Sequence, residues 1–185
     1  MREIELKPII VPTILPIFQA RIDPDGEECR LALQGLHEER AKGYASLESN
    51  VKASFVSSWL SHKENDKFLP LVSLVTDCCH DVLKEFFSVR KPGLNINCVN
   101  CWGAMYEPGD YTNVHHHVPF LFSACVYLDL EEGHSNILFD DTEVLVERGS
   151  LLIFPGYLRH SVPPTTGKRV TVAMNFTVTH SKHQT

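Results

Sequence analysis

No run of lysines and arginines occurs anywhere in the 185 residues, and 17 basic side chains face 23 acidic ones, a formal charge of −6. A protein without a basic stripe offers no electrostatic footprint for a phosphate backbone, so nucleic acid is excluded as an expected partner. No apolar stretch reaches the roughly 20 residues a membrane-spanning helix needs. The opening "MREIELKPII" has early charges and no apolar signal-like core, so a cytoplasmic protein with no membrane partner is expected. Low-complexity segments and internal repeats are also missing, and a composition 43% hydrophobic and 22% charged is that of an ordinary globular chain. The six cysteines include a lone C-x-x-C, Cys98 and Cys101, with no second pair to complete a zinc site. Without a secretory signal they read as reduced, buried small hydrophobes, and on a regular strand a spacing of three sends the two thiols to opposite faces.

What is present divides by pattern. The length suits a single domain over 1–185, with a helical support over about 1–92 and a β-rich core over about 93–178. "DGEECRLALQGLHEERAKG" predicts a helix from Asp25 to about Lys42, with Asp25 as its cap and a stop at Gly43. A longer helix is predicted from Phe68 to about Val89, where Leu71, Leu74, Val75, Cys78, Val82 and Phe86 recur at threes and fours and Pro70 sits in the first turn. That helix could cover a sheet or support a homodimer. Beyond Gly93, short β-like runs alternate with turn residues over 94–107, 120–130, 136–139, 143–147, 151–154 and 169–178. The expected fold is therefore α+β: a jelly roll, or double-stranded β-helix, with the N-terminal helices packed on one sheet.

Three consecutive histidines in "NVHHHVPFLFSACVYLDL" stand at the mouth of the most apolar of these runs. Placed at the start of that strand, His115 and His117 share a face by alternation, and His116 points away as a bystander. A third ligand must come from elsewhere. His160, just beyond the apolar "GSLLIFPGYLRH", is the candidate, because two histidines from one strand and one from another make a facial set with open positions. His37, His62, His80, His134, His180 and His183 have no such context and are given no role.

The stretches "MYEPGDYTNVHHH", "SACVYLDL" and "GSLLIFPGYLRHSVPPTTGKRVTVAMNF" together resemble the iron(II)- and 2-oxoglutarate-dependent oxygenases, in the prolyl-hydroxylase-like branch that includes bacterial and phage members. The resemblance covers roughly residues 98 to 178. In that family a Tyr and a Gly precede an H-x-D pair, Tyr-Leu follows on the next strand, and a distal His is followed about nine residues later by Arg. Here Tyr106 and Gly109 precede His115, Tyr127-Leu128 follows, and Arg169 comes nine after His160. The resemblance implies a jelly-roll hydroxylase that uses Fe(II) and 2-oxoglutarate, releases succinate and CO2, and acts on a small molecule or a peptide, in a host cytoplasm if the source is viral. It makes His115 and His160 iron ligands, Arg169 the anchor of the distal carboxylate with help from the Tyr127 hydroxyl, and sets Tyr106 near the chelating end of the cosubstrate.

One position departs from that pattern. His117 stands where the family has Asp, which makes three neutral imidazoles out of two plus a carboxylate and leaves an iron(II) centre one positive charge higher. Asp110 and Asp129 are alternative acids, one in the preceding turn and one far along the strand, and His117 is preferred. Trp102 and Asn113 are candidates for the pocket wall. Two other readings stay open: a three-histidine cupin-like metalloenzyme that does not use 2-oxoglutarate, and a catalytically silent jelly-roll binding module. "GDYTNVHHH" and "GSLLIFPGYLRH" match parts of the cupin pattern, but the Glu expected four or five residues after H-x-H is Leu121 or Phe122, and Arg169 has no task in such a site.

Overall fold

The computed structural model describes residues 15–43, 49–88 and 94–180. Eleven strands form two antiparallel sheets. The larger sheet orders β1 (Phe18–Arg21), β9 (Ser150–Pro155), β6 (Phe122–Leu130), β11 (Arg169–His180), β4 (Leu94–Tyr106) and β3 (Phe55–Val56). The smaller orders β2 (Val51–Lys52), β5 (Tyr111–His115), β10 (His160–Val162), β7 (Ile137–Phe139) and β8 (Thr142–Val144). Two facing antiparallel sheets of this kind form a jelly roll, as the strand spacing predicts.

Strict alternation divides the larger sheet into a helix face and a pocket face. Along β6, Phe122, Ala124, Val126 and Leu128 join the core shared with the helices, whereas Cys125 and Tyr127 face the smaller sheet. On β11, Val172, Met174 and Phe176 enter the helix-side core, and Arg169, Thr171 and Ala173 line the space between the sheets. Burial on both faces is why β6 reads as an unbroken apolar run rather than an alternating one. The helix-side core takes Cys29, Ala32 and Leu36 from α1 (Glu27–Ala41) and Leu71, Val75 and Cys79 from α2 (Leu69–Asp81). Gly103 permits the close approach of α1, because a Cβ there would overlap the fully buried Leu36 side chain.

Several boundaries differ from the expectation for local reasons. Gly26, not Asp25, caps α1, and no side chain bonds to its free N–H groups. The predicted helix over 68–89 runs regularly only to Asp81, then widens into a π-turn over Val82–Phe86; Val89 lies outside the described residues. The strand expected over 143–147 is the shorter β8. Strands β1, β2, β3, β5 and β10 were not predicted, since runs of two to five residues carry too little periodicity to be read. A β-bulge also overturns the reading of Cys98 and Cys101. Val99 is the extra residue, because Asn175 pairs with Asn100 while Phe176 pairs with Cys98. The inserted residue restores parity, so both thiols pack on the same helix-side core. No helix among the described residues is long and apolar enough to cross a membrane.

Candidate metal centre

His115, His117 and His160 converge at one end of the space between the sheets, their potential ligand atoms all within 4.8 Å of one another. The route to this convergence differs from simple alternation along one strand. His115 ends β5 and His160 begins β10, and the register pairs them directly across the ladder, with ring centroids 4.3 Å apart. His117 lies beyond the end of β5, before β6 begins, so it shares no strand with His115. Its backbone N–H donates to the Gly156 carbonyl at 2.6 Å, and Phe120 N–H closes a turn onto the His117 carbonyl. Any Cβ at Gly156 would collide with the Phe120 carbonyl, so glycine in the "FPGY" turn is what lets the two segments lie together. His116 is exposed and stays outside the cluster, its Nδ1 accepting from Val118 N–H.

The ring hydrogen bonds decide which nitrogens are free. His115 Nδ1 donates to the Asn113 carbonyl at 2.8 Å and His160 Nδ1 to the Leu158 carbonyl at 3.0 Å. In both rings the proton is thereby kept on Nδ1, and Nε2 is left as a lone-pair donor. The Nε2 atoms of His117 and His160 are 3.2 Å apart. Two nitrogens each roughly 2.1 Å from one ion, at angles between octahedral and tetrahedral, stand about 3.0 to 3.4 Å apart, so this pair has the spacing of neighbouring ligands. The donor set therefore fits a divalent transition ion that accepts imidazole.

Burial keeps the rings neutral. Desolvation, reinforced by the neighbouring imidazoles, lowers the pKa of His117 to about 3 and that of His160 to about 4; it also lowers that of His115. Neutral rings are the form that binds metal. In the unfolded chain the same groups take protons near 6.5, so the folded state binds fewer protons below that pH. The metal-free protein is accordingly expected to keep the contribution of the neutral rings above about 6.5 and to lose it progressively as the pH falls toward about 3. Urea midpoints measured across this window check it, and a flat profile would contradict the buried, neutral state of the rings.

The pocket runs from the histidines to Arg169 at its other end. This guanidinium is only 2% exposed, its Nη1 donates to the Ser135 carbonyl at 3.0 Å, and its Nε has no partner. Tyr106 and Tyr127 flank it, ring centroids 4.8 and 5.2 Å from its central carbon. The buried Tyr127 hydroxyl also has no hydrogen-bond partner. Burial raises the pKa values of Tyr106, Tyr127 and the adjacent Cys125, so these groups stay neutral and none of them supplies an anion to the guanidinium. A buried cation beside a buried hydroxyl donor is an arrangement suited to an anion that accepts hydrogen bonds.

The remaining candidates are placed unevenly. Tyr106, expected near a chelating end, pairs in register with Arg169, stacks on its guanidinium and shares a hydrogen bond with the Thr112 hydroxyl at 2.9 Å, so it belongs to the cationic end. Asp110 is taken up in its turn, where it accepts from Ser54 and Glu107, and the exposed Asp129 faces Arg148 at 3.9 Å. Neither acid joins the histidines. Trp102 lines the pocket, whereas Asn113 contributes only its carbonyl to His115. Sequence reasoning missed Ser135, Thr171, Trp59 and Asn175. The last two border an open groove of about 390 Å³ beside the histidines, with the Trp59 ring tilted against Trp102 at 4.3 Å between centroids and Asn175 held by Ser123 at 2.8 Å. Their parity with Trp102 and Ala173 was the available signal only for Thr171 and Asn175; Trp59 arrives through a parallel bridge of Leu60 to Cys101 that no pattern announces.

Comparison with solved structures decides the architecture. A prolyl-4-hydroxylase from Pseudomonas putida superposes with a TM-score of 0.66 over 88% of this chain and 92% of its own, at 18% identity. The chain has the prolyl-hydroxylase fold. A viral collagen prolyl hydroxylase from Paramecium Bursaria Chlorella virus-1, in complex with 2-oxoglutarate, gives 0.60 at 16% identity over 86% and 94% of the two chains. A Trichoplax adhaerens prolyl hydroxylase bound to a hypoxia inducible factor peptide fragment gives 0.61 at 16% identity over 87% and 83%. No family model matches the sequence, and no curated protein does.

Proposed function

We propose that the protein is an Fe(II)- and 2-oxoglutarate-dependent oxygenase that hydroxylates a small molecule or a peptide. The observation that carries this reading is Arg169, a buried cation without an anion at the far end of a pocket whose near end holds three convergent imidazoles. A dicarboxylate with a second metal-chelating end satisfies both ends at once. The fold shared with the three hydroxylases supports it, and the 2-oxoglutarate and peptide complexes among them are the grounds for the cosubstrate and for a peptide as one substrate option.

In this reading His115, His117 and His160 hold the ion through neutral nitrogens, and the Asn113 and Leu158 carbonyls fix two of the rings in the ligating tautomer. Arg169 receives the distal carboxylate, for which its planar fork is matched, while the Tyr127 hydroxyl donates to the same group. Phe154, Ile137 and Val162 wall the pocket with apolar surface, which excludes water and strengthens the ion pair. Iron, when bound with 2-oxoglutarate and dioxygen, supplies the oxidising chemistry that converts a C–H bond to C–OH with release of succinate and CO2.

The all-imidazole donor set favours a second reading, a three-histidine metalloenzyme acting on a substrate that chelates the metal itself. That alternative leaves Arg169 without a task. Anaerobic titration of the metal-free protein with Fe(II), then 2-oxoglutarate, separates the two. A weak visible charge-transfer band that requires both additions supports the oxygenase, and metal binding without that band favours the second reading.

A further inference from the structure

Resting on the metal-binding reading above, we infer that His117 is the weakly held arm of the centre, and that His115 and His160 form the preset clamp that retains the ion. The asymmetry lies in the hydrogen bonds behind each ring. A ligating histidine is normally oriented by a partner on its other nitrogen, and removing such a partner typically costs about 10- to 100-fold in metal affinity. His115 and His160 each have that partner, a carbonyl two residues back along the chain. Among the described residues His117 has no such bond from Nδ1; its ring hydrogen bond joins its Nε2 to that of His160.

That bond determines where the His117 proton sits. His160 already donates from Nδ1, so its Nε2 is an acceptor, and the hydrogen shared across the 3.2 Å gap belongs to His117 Nε2. His117 is therefore in the wrong tautomer for ligating through Nε2. To ligate, it must give up this hydrogen bond and move its proton to Nδ1, where no described residue accepts it. His115 and His160 make no such change. Packing holds the His117 ring near the ion without selecting its tautomer: Trp102 lies 5.8 Å and Phe154 6.4 Å from it, and its backbone is tied to Gly156. The position that usually holds a carboxylate in the resembled family thus holds the least committed ligand, and the site works as a two-histidine clamp with a third arm that closes on the ion.

Two measurements test this. Long-range 1H–15N correlation spectra of the metal-free protein should show His115 and His160 protonated at Nδ1 and His117 at Nε2, with His117 alone changing form on addition of Zn(II). Competition titrations with Co(II) should show His117→Ala and His117→Gln weakened by roughly 10-fold, and His115→Ala and His160→Ala by about 100-fold or more. Nδ1-protonated His117 in the metal-free protein, or equal losses in all of these variants, overturns the inference and leaves the function reading intact. Failure of the wild type to bind Co(II), Zn(II) or Fe(II) at all removes the metal-binding reading itself, and this inference with it.

Discussion

An Arg169→Met variant is expected to lose 2-oxoglutarate affinity by at least about 30-fold while folding as well as the wild type or better. Breaking a buried, charge-assisted pair by removing one partner costs about 2 to 5 kcal/mol, and each 1.4 kcal/mol is tenfold in affinity. The opposite sign for stability follows from what surrounds the guanidinium within the chain. Among the described residues it is buried, bonded through Nη1 to one carbonyl and unpartnered at Nε, and its aromatic neighbours are neutral. Replacing such a cation by an apolar side chain of similar length is neutral or stabilising. Calorimetry with 2-oxoglutarate on the metal-loaded protein and a thermal melt of the metal-free protein give the two numbers. Unchanged affinity would detach Arg169 from the cosubstrate, and collapse of the fold would make it a structural cation. Arg169→Lys keeps the charge but loses the planar fork, so it should recover only part of the affinity.

Saturation with a divalent transition ion is expected to stabilise the wild type by about 2.7 kcal/mol at a ligand concentration 100 times Kd, and His160→Ala should abolish that gain. Metal binds the folded arrangement, in which β5 and β10 hold His115 and His160 face to face across residues that are far apart in the chain. An unfolded chain offers no such pairing, so binding free energy appears as folding free energy. His160 is 6% exposed and packs edge-on against Phe154, so its removal also leaves a small apolar gap. The comparison is therefore made within the variant, with and without metal, by denaturant titration. A metal-dependent shift that persists in His160→Ala would place the ion elsewhere. Chelator treatment of the metal-loaded wild type should reverse the gain.

Local pattern made the architecture legible. The β-like runs from 94 onward predict a jelly roll, the apolar run of β6 marks a strand buried on both faces, and the two periodic helical segments pack on the larger sheet. Of the residues singled out along the chain, Tyr106, His115, His117, His160 and Arg169 border one pocket, and Tyr127 lies beside the guanidinium. These features were readable because side-chain direction repeats every 2 residues in strands and every 3.6 in helices, so composition and spacing carry them without reference to the rest of the chain.

Partners brought together by long-range pairing were not readable in this way. The β5–β10 register, not alternation along one strand, sets His115 against His160, and the turn at Gly156 brings in His117 from beyond the strand end. A single extra residue at Val99 put Cys98 and Cys101 on one face instead of the two expected. Tyr106 joined the guanidinium because β4 and β11 pair it with Arg169. By itself the sequence determined the fold class and singled out residues whose side chains suit metal and carboxylate binding. Tertiary structure decided which of them meet, and through which nitrogen, because register and ring tautomer depend on hydrogen bonds to residues that local spacing does not specify.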